Sequence, residues 1–202
     1  MDRNPADAAE AIMSMREMLT TETWQSFFTD TGLAPFVPKI GSMGLEPTLE
    51  AYVVHEGQKQ LYVLPVGCDE WNDWDNRTFM LREVGRMLAQ LPGMVLAFRL
   101  GSEAWMRSFN EQEAKEFDRR KRSVSSYDDK YEIVMCMGWT LDGRMGSALA
   151  RLYRDKKERI CRVSPWTVHF DEMGEKMAPQ MRLLQFLWEG YREGKMAERE
   201  ED

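Results

Sequence analysis

Apolar positions along this chain recur with two different periods, and the switches between them mark its elements. Over residues 76–91 the period is helical: Met80, Leu81, Val84, Met87, Leu88 and Leu91 fall within an arc of roughly 120°, with Arg82, Glu83, Arg86 and Gln90 opposite. Asp75 or Asn76 caps the start by accepting from the free backbone N–H groups, and Gly93 takes the left-handed conformation that ends a helix. The chain then enters a short apolar run, residues 94–100, interrupted by Arg99, which predicts a strand with most of its surface covered.

Alternation with period two appears on either side of this unit. Residues 50–55 and 60–66 alternate apolar and polar positions around Glu56-Gly57-Gln58-Lys59 and predict a β-hairpin. Residues 131–141 form the best single strand pattern, and Asp142-Gly143 after it favours a tight two-residue turn. Residues 144–154 return beside it. A turn at 155–158 leads to a further strand over 159–163, and His169 falls in the loop after Trp166.

Helical periods recur at both ends. Asn4-Pro5 opens a helix that runs to about residue 19. Thr21 caps a second helix over 22–30 that carries Trp24, Phe27 and Phe28, with Gly32 as its stop. Residues 33–48 hold three prolines and two glycines and predict an irregular connection, the hinge between a helical pair and the body. A final helix covers about 178–194, with Met177, Met181, Leu184, Leu187, Trp188 and Tyr191 in one stripe. Leu183 and Phe186 widen its apolar arc to roughly 220°. One sheet does not cover that arc, so either the N-terminal helices or a second subunit packs there. On the second alternative Leu183 and Phe186 are the partner-binding residues, and a two-fold homodimer is the commonest form.

The expected architecture is α+β: an antiparallel or mixed sheet of about six strands with helices on one face and an N-terminal helical pair. The chain reads as a single domain, with the helical pair at 1–32, the connection at 33–48, the body at 49–194 and a charged tail at 195–202 that frays.

Composition supports a folded core, with 43% hydrophobic and 30% charged residues over 202 positions. The net charge of -7 gives nucleic acid binding no global support. The basic run Arg119-Arg120-Lys121-Arg122 follows Glu111, Glu113, Glu116 and Asp118, which predicts a solvated surface segment. No apolar run approaches the roughly 18 residues of a membrane span. The first residues lack a basic segment followed by an apolar one. Cys68, Cys136 and Cys161 contain no C-x-x-C pair and read as reduced thiols, so a cytoplasmic location is expected. The sixteen methionines suit irregular core gaps or an adaptable contact surface.

Candidate chemistry concentrates in one acidic loop. Asp69, Glu70, Asp73 and Asp75 lie between a strand and a helix, and a hard cation such as Mg²⁺ or Ca²⁺ takes several oxygen ligands from such a cluster. The loop lacks the glycine and glutamate of the EF-hand pattern, and the same acids would stabilise a helix N-terminus against its dipole. Glu103, beyond the central strand, is a second candidate. The competing reading pairs it with Arg99 or Arg107. His55 and His169 lack zinc-site spacing, and no phosphate loop or serine-nucleophile motif occurs. Glu113-Ala114-Lys115 has the letters of a nuclease E-x-K but lies in a polar, helix-like segment.

The segments LAFRLGSEAWM and SSYDDKYEIVMCMGWTLDGRMGSALARLYRD resemble a family of uncharacterised phage and prokaryotic proteins. In that family a helix leads to an apolar strand with a SEAW-type end, followed by a Ser/Asp-rich approach and a hairpin with a D-G-R turn. The resemblance covers about 76–155 and implies no activity. The expected function is a non-catalytic protein-interaction module, phage- or mobile-element-encoded, with a protein partner or self-association and no cofactor. The alternative is a metal-dependent hydrolase or nuclease built on the acidic loop.

Overall fold

A computed structural model describes residues 13–14, 16–67, 71, 73–108, 110, 112–113, 124, 127–172 and 181–201. Its centre is β3 (Met94–Met106), which continues past the predicted apolar run to include the SEAW residues. β1 (Thr48–His55) and β2 (Gln58–Pro65) form the predicted hairpin. Its turn is two residues long, because Glu56 and Gly57 both take positive φ and His55 pairs with Gln58. β4 (Tyr131–Thr140) and β5 (Arg144–Arg154) form the predicted pair, but their turn is three residues long, Leu141 to Gly143, and not two: Trp139 pairs with Met145, and of the three only Gly143 takes positive φ. β6 (Ile160–Val163) pairs with the far half of β5, and β7 (Thr167–Glu172) pairs with its near half.

The sheet is antiparallel throughout, in the order β2-β1-β3-β4-β5, with β6 and β7 sharing the outer side of β5. The fold is α+β. β7 was not legible as a strand: Thr167-Val168-His169-Phe170 alternates, but it is short and follows Ser164-Pro165, which suggests a loop. His169 is therefore an exposed strand residue.

One face of the sheet carries two helices. α3 (Trp74–Ala89) starts two residues earlier than expected, because Asp73 accepts from the Asn76 N–H at 2.9 Å and caps it. α4 (Met181–Glu201) runs beyond its predicted end into the charged tail. Leu81, Leu88, Leu184, Leu187, Trp188 and Tyr191 meet Leu49, Val53, Phe98, Leu100 and Met137 of the sheet in the main core. Met87, predicted inward, is exposed, and Gly85 takes its place at the helix crossing.

The two helices approach so closely that a Cβ on Gly190 would overlap the Arg82 carbonyl, and one on Gly85 would overlap the Leu187 carbonyl. Arg82 and Arg86 close the outer side of this crossing on Glu193, whose carboxyl their hydrogen bonds draw down to about 2. In the unfolded chain this carboxyl titrates near the ordinary value of 4.5. Its contribution is therefore full above pH 4.5 and is lost as the pH falls through about 2. The pair is largely solvated, so it is worth about 1 kcal/mol or less. Urea unfolding should show Glu193→Gln less stable than the parent at neutral pH, with the gap closing as the pH is lowered towards 2.

The other face is covered by a strap made of residues 19–47. Two short helices, α1 (Thr21–Ser26) and α2 (Asp30–Leu33), start it, capped by Thr20 and Thr29. Gly32 lies inside α2 and does not stop a longer helix: its Cα packs against the carbonyls of Ser26 and Phe27, where a Cβ would not fit. The connection at 33–48 is irregular, apart from one 3-10 turn at Ala34–Phe36, but it is no hinge, since Leu33 and Phe36 are completely buried. Trp24, Phe28 and Phe36 fill a trough of small residues on the sheet, and Cβ atoms on Gly101, Gly138 or Gly146 would collide with their rings. Residues 13–14 and 16–18 are helical, and the rest of the expected first helix, Asn4-Pro5 included, lies outside the described residues.

Candidate functional site

The ionisable side chains that the fold brings together lie mainly on the strap-covered face. Glu50 on β1 and Arg99 on β3 are direct cross-strand partners and form an ion pair with side-chain exposures of 1% and 7%. Arg99 also donates to the Gly32 carbonyl at 2.9 Å and to the Phe27 carbonyl. Its guanidinium lies over the rings of Phe27 and Phe36, 4.9 and 5.1 Å from the ring centres. Cys136, on β4, is wholly buried near this pair, and desolvation pushes its thiol up to about 12. At neutral pH it stays protonated and behaves as a small core residue, not a nucleophile.

A second cluster sits at the other end of the same face. Arg154 donates to Glu103 at 2.9 Å, to Glu132, and to the carbonyls of Met43 and Glu158 at 2.6 and 2.8 Å. Glu103 also accepts from the Leu45 N–H at 2.7 Å. Burial raises the Glu103 carboxyl above its ordinary value, and the Leu45 N–H and Arg154 oppose the rise. Its partner is thus Arg154, not Arg99 or Arg107. Arg107 instead pairs with Asp129 and Glu113.

At the β4–β5 turn, Asp142 accepts from Thr140, Arg144 and Arg16. Burial would raise its carboxyl, but these three donors outweigh burial and hold it below the usual range. Arg144 reaches on to the Leu19 carbonyl at 2.7 Å.

These clusters share one pattern. Arg144, Arg99, Glu103 and Arg154 each bond the backbone of the strap, at Leu19, at Phe27 and Gly32, at Leu45 and at Met43. Their chemistry is positional: charged groups satisfy strap carbonyls and an N–H that the irregular connection cannot pair by itself.

The acidic loop divides. Asp73 caps α3 and Asp75 stands exposed in its first turn, while Asp69 and Glu70 lie outside the described residues. Among the described residues no group of three or more His, Cys, Asp or Glu side chains is arranged to hold a metal ion. Glu113 forms a reciprocal cap with Asn110, each side chain accepting from the other's N–H. The basic run 119–122 is outside the described residues.

Leu183 is not a partner-binding residue: it is 1% exposed in the chain's own core, because α3 and the sheet together cover the wide apolar arc of α4. Phe186 is half-buried. No helix of the described residues is long and apolar enough to cross a membrane.

One surface was not anticipated. β2 is the terminal strand of the sheet, and among the described residues nothing pairs with its outer edge. The two-residue turn makes His55 and Gln58 a hydrogen-bonded pair, so Gln58, Gln60, Tyr62 and Leu64 bond β1. Lys59, Leu61, Val63 and Pro65 then direct their backbone groups outward. Leu61 and Val63 sit on one face of this edge, 52% and 53% exposed. Their period-two spacing was visible in the sequence, but nothing there showed that the strand would be last in the sheet. No family model, no curated protein and no solved structure matches the chain, so its own geometry carries the functional reading.

Proposed function

We propose that this chain is a non-catalytic protein-interaction module that self-associates through the free edge of β2. The observation that carries the reading is the free edge of β2, a strand eight residues long with Leu61 and Val63 exposed on it and open to strand addition. The occupant is a second copy because the edge is self-complementary. An antiparallel two-fold pairing centred on Tyr62 sets Leu61 of one copy opposite Val63 of the other, joined by outward N–H and C=O groups. The four aliphatic side chains then gather on one face of the joined sheets. The same register places Lys59, the single charge on the strand, opposite Pro65, and the two lysines stand far apart.

A one-strand interface is small, so the dimer is weak and depends on concentration. The positions of the acids and bases support a non-catalytic role, since Glu50, Arg99, Glu103, Arg144 and Arg154 are committed to holding the strap. Sedimentation velocity should show the parent moving from monomer to dimer as its concentration rises. Leu61→Lys with Val63→Lys should stay monomeric with an unchanged melting temperature, because both side chains are exposed and edge lysines block strand addition. A parent of 23.7 kDa at every concentration, or a variant that still dimerises, would overturn the reading.

A further inference from the structure

On the helix-bearing face, where β4, β5 and β6 run side by side, four side chains alternate ring and cation. Arg151 lies 4.7 Å from the Tyr131 ring centre and 5.4 Å from that of Tyr153. Arg162, the direct cross-strand partner of Tyr153, lies 3.8 Å from the same ring. Both arginines are exposed, and both tyrosines are half-buried.

Eight other arginines, Arg16, Arg82, Arg86, Arg99, Arg107, Arg144, Arg154 and Arg159, each meet a carboxylate. Among the described residues no carboxylate forms an ion pair with Arg151 or Arg162. Stacking on a phenol ring fixes the plane of a guanidinium and leaves its N–H edge facing water. That edge matches the two oxygens of a carboxylate. Two such edges around Tyr153 make a preformed cationic shelf on an acidic protein.

We propose that Arg151 and Arg162, stacked on Tyr131 and Tyr153, bind a short acidic segment of a protein partner. Each guanidinium takes one carboxylate, and the rings hold the two guanidinium groups in place. The proposal rests on the reading of the chain as an interaction module, but it uses β4, β5 and β6 and not the β2 edge. Charge favours a peptide over a nucleic acid: the net charge of -7 repels a long polyanion, whereas a segment with a few carboxylates contacts the shelf alone.

The test is fluorescence anisotropy on the full chain with three labelled probes: hexaglutamate, hexaglutamine and an oligothymidylate. Hexaglutamate should bind, weaken as salt rises, and bind at least about tenfold more weakly to Arg151→Gln/Arg162→Gln. Hexaglutamine should not bind. Circular dichroism and thermal melts check the variant's fold, and Arg162→Gln alone serves if the double change perturbs it. The proposal is overturned if hexaglutamate fails to bind, if the variant binds it equally well, or if the oligothymidylate is preferred through the same two arginines. Because both arginines lie away from β2, failure here leaves the sedimentation result intact, and failure there leaves this one readable.

Discussion

Arg99→Ala is expected to destabilise the protein by about 3–5 kcal/mol, the usual cost of leaving one member of a buried ion pair without its partner. Glu50 would remain in the interior, 1% exposed, and the carbonyls of Phe27 and Gly32 would lose their donor. For a chain of this length that corresponds to a fall in Tm of roughly 10 °C. The strap should suffer first, because Arg99 joins it to the sheet. Trp24 fluorescence and proteolysis within residues 19–47 should therefore report the loss before the main core opens. Glu50→Met with Arg99→Met is the control. Replacing both charges by apolar groups of similar length should recover most of the loss, and the remainder measures the two orphaned carbonyls. If urea unfolding places Arg99→Ala within about 1 kcal/mol of the parent, the pair is solvated and the strap is held by its aromatic residues alone.

Substitution at Gly190 should be comparably severe. Alanine normally stabilises a helix by about 1 kcal/mol over glycine. Here its methyl group would overlap the Arg82 carbonyl of α3, and Gly85 and Gly194 hold the same crossing tight on either side. Gly190→Ala is expected to destabilise by about 2 kcal/mol despite the propensity gain, and Gly190→Val by more than about 3 kcal/mol, because the helices must separate and uncover Leu187, Trp188 and Tyr191. Denaturant titration of the three proteins gives the order directly. A stabilising Gly190→Ala would show that α3 and α4 stand farther apart.

Much of the framework was legible because local pattern and global fold agree along the main strands. The alternation of 131–141 and the return strand appear where the period placed them, with a three-residue turn centred on Asp142 in place of the expected two-residue one. The hairpin of β1 and β2 was equally clear, although its expected four-residue connection shrinks to Glu56-Gly57, and Gln58 and Lys59 join β2.

What could not be read depends on neighbours distant in sequence. Arg99 looked like an interruption in an apolar strand, and Glu50 like the polar phase of an alternating one. Only the β1–β3 register makes them a pair. Glu103 was noticed for its position at a strand end, yet its partner Arg154 lies 51 residues away and Arg99 and Arg107 were nearer choices. Leu183 seemed surplus because a helix against one sheet needs a narrower apolar stripe, and a second helix packed at glycine distance absorbed the excess. The Tyr131–Arg151–Tyr153–Arg162 shelf needs three strands in register before it exists at all.

The register proposed for the β2 edge makes one position unlike its neighbours. Tyr62 meets its own copy across the two-fold axis as a non-hydrogen-bonded pair, about 4.5 Å between Cα atoms, within the span of a disulfide. The decisive measurement is oxidative cross-linking of Tyr62→Cys, made with Cys68→Ser and Cys161→Ser and leaving only the buried Cys136 as native thiol. A covalent dimer should form at position 62, and Leu61→Cys mixed with Val63→Cys should cross-link while neither does so alone. Absence of a link at 62, or equal linking at all three positions, would contradict the β2 interface.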